Sequence, residues 1–135
     1  MHSILQHLRF PFSFLLMPVF ILAVLSAPPS LLNSSKSSLI ILFIGLHLFI
    51  YPSSNAYNSY QDKDTGSIGL IKTPLPTSKS LFYTTVIFDL TGLLLIALYC
   101  PKSTFLLIFL YIIASKVYSW RQIRLKKHPV LGFLT

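Results

Sequence analysis

LFYTTVIFDLTGLLLIALYCPKSTFLLIFLYIIASKVYSW, residues 81–120, holds two apolar runs, 81–99 and 104–120, parted only by Cys100-Pro101-Lys102-Ser103. At a rise of about 1.5 Å per residue, runs of roughly 17–20 residues cross a hydrocarbon core of about 30 Å as helices. The proline-containing link predicts a tight turn between them. Working outward, two more such runs lie near residues 39–57 and 11–27. The expected fold is all-α, a multi-pass transmembrane helical bundle with four spans across residues 1–135.

Composition agrees. The chain is 53% hydrophobic and 10% charged, against roughly 25% charged in soluble domains, which excludes a water-soluble globule. Lys and Arg outnumber Asp and Glu 11 to 3, yet a mean hydropathy of +0.70 excludes a disordered polycation. Eleven Phe, seven Tyr and one Trp suit a lipid-facing surface with aromatic interfaces. The single cysteine, Cys100, excludes an intramolecular disulfide and a cysteine-based zinc site. It reads as a small apolar residue at a helix end.

Charge placement orients the bundle. Arg9, Lys63, Lys72, Lys79, Lys116, Arg121, Arg124, Lys126 and Lys127 fall on one side, and only Lys36 and Lys102 on the other. The positive-inside rule then puts the N-terminus, the 58–80 loop and the C-terminal tail in the cytoplasm. The first run resembles a secretory signal in outline, but Ser26-Ala27 runs into Pro28-Pro29. Proline just after a cleavage site is unfavourable, so the run is read as a retained anchor. Pro11 is tolerated near its start and Pro18 predicts a bend.

The connections differ. Residues 28–38 and 100–103 read as plain connectors, whereas the 58–80 loop concentrates Asn58, Asp62, Lys63, Asp64, Gly66, Gly69 and Lys72. Long loops held between rigid helices are where function concentrates. If the second helix continues past Tyr57, then Asn55, Asn58 and Asp62, spaced i, i+3 and i+7, share one stripe. A carboxylate pair, Asp62 and Asp64, beside amide oxygens suits Mg²⁺, which prefers oxygen ligands and shares its coordination with substrate phosphates. Lys72, across a Gly-containing loop, would add positive charge to the same phosphate. The alternative reading is a solvated loop with incidental charge.

The stretch Asn58-Ser59-Tyr60-Gln61-Asp62-Lys63-Asp64-Thr65-Gly66-Ser67-Ile68-Gly69, followed by Lys72-Thr73-Pro74, resembles the first Asp-rich motif of the UbiA superfamily of intramembrane prenyltransferases. Leu8-Arg9-Phe10-Pro11 is similar to that family's entry into its first helix. The resemblance implies an all-helical membrane fold with two Asp-rich motifs on cytoplasmic loops. These bind Mg²⁺ and the diphosphate of an isoprenyl donor, and the prenyl group passes to an aromatic or other lipophilic acceptor inside the bundle.

The family motif reads Asn-Asp-x-x-Asp-x-x-x-Asp. Asn58 and Asp62 match its first and fifth positions, Ser59 stands at the second, and Gly66 stands where the last Asp is expected. On the resemblance, Asp64 takes that place by a different loop path, and Lys72 matches the basic residue after the motif. Asn58, Asp62 and Asp64 are thus the expected metal ligands, with Asn55, Asn58, Tyr60 and Lys72 expected around the substrate. The likeness spans the whole chain but only the first half of a complete family member. The second motif is missing, since Asp89 is the only other acid. One motif offers too few carboxylates for efficient diphosphate ionisation. The expected partner is therefore a C-terminal half, on a longer chain or a second subunit. Residues 128–135 read as the opening of a fifth apolar helix.

Some residues invite other readings. Thr85, Asp89 and Gly92 share a stripe on the third helix, which predicts inward packing, because ionisable groups at membrane depth face the bundle interior. His47, near the middle of the second helix, is a candidate hydrogen-bond partner for Asp89. The alternatives are hydroxyl or backbone partners, or a role in acceptor deprotonation. Lys116 is expected to snorkel to the headgroups. The basic run 121–127 adjoins a span and reads as a topology signal attracted to anionic lipid rather than a nucleic-acid site. Tyr51, Tyr57 and Tyr60 suit either an isoprenyl chain or an interfacial aromatic belt. No nucleotide fingerprint, nucleophile elbow or paired-His metal motif occurs. The rival to a transferase is a small four-helix transporter subunit or scaffold in which Asp89 and His47 line a polar path.

Overall fold

A computed structural model describes residues 2–34, 36–63 and 65–123. Four helical stretches there are long and apolar enough to cross a membrane: His2–Leu25, Lys36–Asp62, Lys79–Tyr99 and Lys102–Ser119. The described residues contain helices and one isolated bridge, Ile68 with Ile71. The expected tail helix at 128–135 lies outside the described residues.

Prolines shape the first two spans. The first comprises α1 (His2–Leu8), α2 (Phe10–Phe14) and α3 (Met17–Leu25). It begins well before residue 11, where the apolar run starts. A proline lacks the N–H that would bond to residue i−4, and its ring collides with that carbonyl. The helix therefore breaks upstream of each one. Pro11 follows a break at Arg9, which is left-handed at φ 47° and ψ 50°. Pro18 follows a tightened turn in which Leu15 N–H donates to Phe12 O at 3.1 Å and Leu16 N–H to Ser13 O at 3.3 Å. Where a bend is expected at Pro18, the α-helix is interrupted at residues 15–16, just upstream of the proline.

The second span comprises α5 (Lys36–Ile44), a π-helical segment Gly45–Ile50, and α6 (Tyr51–Asp62). Pro52 removes the donor that would meet Leu48, and the ladder slips, so that Tyr51 N–H bonds Leu46 O instead. Such π turns recur at functional sites. The helix does continue past Tyr57 and ends at Lys63, left-handed at φ 52°. The 28–38 connector carries a short helix of its own, α4 (Pro29–Ser34).

The third span, α7 (Lys79–Tyr99), buries Leu81, Thr85, Asp89, Gly92 and Ile96, the expected inward stripe. It packs antiparallel to the second span at very close range. A Cβ on Gly92 would lie 2.6 Å from Ile50 Cδ1 and 3.1 Å from Phe49 Cβ. Small residues permit such approaches, and in lipid, packing of this kind drives helix association. The fourth span, α8 (Lys102–Ser119), buries only Ile112 and Ser119. One apolar core joins Leu46, Ile50 and Ile112 with Phe20 and Leu93 around them; another joins Leu8, Ala56 and Leu81.

Each end of the bundle has its own closure. At the Asp62 end, α1 grips the loop: Ser3 Oγ donates to Pro76 O at 2.9 Å, and Gln6 Nε2 to Thr73 O at 3.2 Å. Gln6 Oε1 accepts from Leu75 N–H at 2.8 Å, and His7 Nε2–H donates to Leu75 O at 2.7 Å. At the other end, Ser38 Oγ donates to Tyr99 O at 2.6 Å and the Cys100 thiol reaches Ser38 O at 3.6 Å. Burial pushes the Cys100 thiol pKa up.

Candidate functional site

At the Asp62 end a cleft of about 450 Å³ opens between the first, second and fourth spans, lined by Arg9, Phe12, Ser54, Asn55, Asn58, Ser115, Tyr118 and Ser119. Its polar lining groups are one guanidinium, amides and hydroxyls, a donor-rich set suited to an anionic ligand. The break at Pro11 is what turns Arg9 into it. There, Arg9 Nη2 donates to Asn55 O at 3.1 Å and the guanidinium lies 5.4 Å from the Phe12 ring centroid. On its other flank the loop passes so close that a Cβ on Gly69, at φ +52°, would lie 2.9 Å from Arg9 Nη1.

The opposite wall is a seam between α6 and α8, which run parallel. Ser115 Oγ donates to Ser54 Oγ at 2.8 Å, and Ser119 Oγ to Asn58 Oδ1 at 3.0 Å. Asn55 Nδ2 donates to the buried Ser13 Oγ at 3.3 Å. Both expected amides, Asn55 and Asn58, therefore line one cleft.

The remaining expected residues divide. Asp62, half-buried, is the last residue of α6, one turn beyond Asn58 on the same stripe. Asp64 lies outside the described residues. Lys72 is exposed on the loop and is not among the cleft-lining residues. Tyr60 turns away from the cleft, packing on the Leu8–Ala56–Leu81 core with its ring 5.5 Å from that of Phe82. Among the described residues no three His, Cys, Asp or Glu side chains converge. Of the expected metal ligands the described ones are thus the Asp62 carboxylate, which is not among the cleft-lining residues, and the Asn58 amide, whose Oδ1 accepts from Ser119 Oγ; both are hard oxygen groups of the kind Mg²⁺ accepts.

The His47–Asp89 hydrogen bond does not form. Asp89 Oδ2 instead meets Lys116 Nζ at 2.8 Å. The same ammonium donates to Ser53 Oγ at 3.1 Å and stands 4.5 Å from the Tyr57 ring centroid. Ser53 Oγ in turn donates to Thr85 O at 3.0 Å. The antiparallel register explains the change of partner. Ser53 lies level with Thr85 and Ile50 with Gly92, which puts Asp89 between those levels and His47 a turn deeper. His47 turns toward the first span, its ring 4.2 Å from Phe43 and 5.9 Å from Phe14, and its Nδ1–H donates to Phe43 O at 3.1 Å. Lys116 does not snorkel outward, because an inward carboxylate lies within its reach.

The sequence marks Arg9 as a topology charge and as part of the family-like entry to the first helix but not as a ligand-binding residue, and no motif in it singles out Phe12, Ser54, Tyr118, Ser115 or Ser119. A signal for the last two was present, since Ser115, Lys116 and Ser119 form a polar stripe on an otherwise apolar helix. No family model, no curated protein and no solved structure matches the chain.

Proposed function

We propose that this chain forms the first half of a UbiA-like prenyltransferase site, binding an isoprenyl diphosphate with Mg²⁺ at the cytoplasmic end of the bundle. The observation that carries the reading is the shared cleft of Arg9, Asn55 and Asn58, with Asp62 one turn above Asn58 on the same helix. Arg9, Asn58 and Asp62 fall within the stretches at which the sequence resembles the family, and Asn55 shares their helix stripe.

In this reading Arg9 holds the diphosphate. Its guanidinium is fixed by Asn55 O and the Gly69 turn before any ligand arrives, so little ordering is lost on binding. The hydroxyls of Ser54, Ser115 and Ser119 supply further donors around the same space. Asn58 and Asp62 would hold Mg²⁺, which when bound offsets the charge that builds on the departing diphosphate. A second acidic set for that charge lies beyond the three acids of this sequence, and would come from a C-terminal half or a partner subunit. The acceptor is an aromatic or other lipophilic molecule reaching the cleft from the bilayer.

The test measures binding of farnesyl diphosphate to detergent-solubilised protein, with and without Mg²⁺. Asp62→Asn is expected to lower the Mg²⁺-dependent affinity at least tenfold and leave the Mg²⁺-independent part unchanged. Equal affinity in the two proteins overturns the proposed ligand role, and favours a four-helix scaffold or transporter subunit.

A further inference from the structure

We infer that the partly buried Asp89–Lys116 ion pair sets the register of the fourth span and so orients Ser54 and Asn58 on the cleft wall. Both are positioning residues. Neither lines the cleft, so neither meets a ligand there. The consequence for diphosphate binding rests on the prenyltransferase reading; the register does not.

Apolar contacts specify the fourth span weakly. Most of its Leu, Ile and Phe side chains face outward, and only Ile112 and Ser119 are buried. Lipid tails are as apolar as leucine, so turning or sliding such a helix costs little in apolar burial. Charge is different, because an unpaired ion at that depth is expensive. Lys116 Nζ satisfies itself on two spans at once, with Asp89 of α7 and with Ser53 and Tyr57 of α6. A slip of one residue turns position 116 by about 100°, which would strip Asp89 of its partner while its other oxygen, Oδ1, is buried with no hydrogen-bond donor. With Lys116 fixed, Ser115 meets Ser54 and Ser119 meets Asn58 at one common offset along the parallel helices. The ion pair on one face thus fixes the hydrogen-bonded seam on the other.

The test uses a Cys100→Ser background carrying Ser54→Cys and Ser115→Cys, whose native hydroxyls are 2.8 Å apart. Mild oxidation in membranes reports the register as disulfide yield. Lys116→Arg is expected to keep the yield. The double variant Asp89→Leu/Lys116→Met removes both charges and leaves no unpaired ion, so it is expected to keep its helix content and unfolding midpoint. Its disulfide yield is expected to fall at least threefold. An unchanged yield overturns the inference, as does a fall seen only alongside unfolding. Farnesyl diphosphate affinity is measured in parallel without the added cysteines. If the wild-type protein does not bind it, the prenyltransferase reading fails while the disulfide result still decides the register.

Discussion

Single residues carry more of this molecule than their number implies. Gly69 holds a left-handed turn that costs an L-residue about 1–2 kcal/mol, and its missing side chain makes room for the Arg9 guanidinium. Gly69→Ala is expected to lower the unfolding midpoint by that strain and to push Arg9 from its place, weakening farnesyl diphosphate binding. Gly66→Ala is the control, because nothing lies within 4 Å of a Cβ there, and its midpoint and affinity should match the wild type. Equal behaviour of the two variants would refute the account of Arg9. Lys116 teaches a related lesson. Its position near a helix end reads as a snorkelling lysine, and only the nearness of Asp89 across the helix interface reverses that.

Among the elements, the helices are interrupted where prolines demand it, and two of the interruptions bear on the site and the packing. The break before Pro11 delivers Arg9 to the cleft, and the π segment before Pro52 lies at the close crossing of the second and third spans. At that crossing Gly92→Ala puts a methyl 2.6 Å from Ile50 Cδ1. Overpacking of this kind typically costs about 1–3 kcal/mol, so reversible unfolding in mixed micelles should show a destabilisation of that size. A change below the measurement error would mean that the second and third spans can part at no cost. The spans themselves were legible because length and apolarity fix them. Their ends were less so: α1 precedes the apolar run and gains its hold through contacts with residues 73–76, which no local pattern records.

For the whole molecule, orientation is the property that most needs a measurement. The charge asymmetry predicts that the Asp62 end faces the cytoplasm. A cysteine introduced at Gly66 in a Cys100→Ser background is expected to react with a membrane-impermeant maleimide only in inverted vesicles. Labelling from the outside of intact cells would reverse the assignment. The native Cys100, at the opposite end, offers a reciprocal probe. Its raised thiol pKa depletes the reactive thiolate at neutral pH, so its labelling should quicken as the pH rises.

The sequence by itself determined that the chain is helical and lies in a membrane, which face of the third helix turns inward, and that Asn55, Asn58 and Asp62 share a stripe. All of these follow from periodicity and hydropathy along one segment. Only the tertiary structure decided that Asp89 pairs with Lys116 rather than His47, that Tyr60 packs away from the cleft, and that Arg9, Phe12, Tyr118 and three serines complete its lining. The reason is that a partner across a helix interface is set by register and rotation. In lipid these depend on the few close-packed and polar contacts between spans, not on the apolar pattern of any one of them.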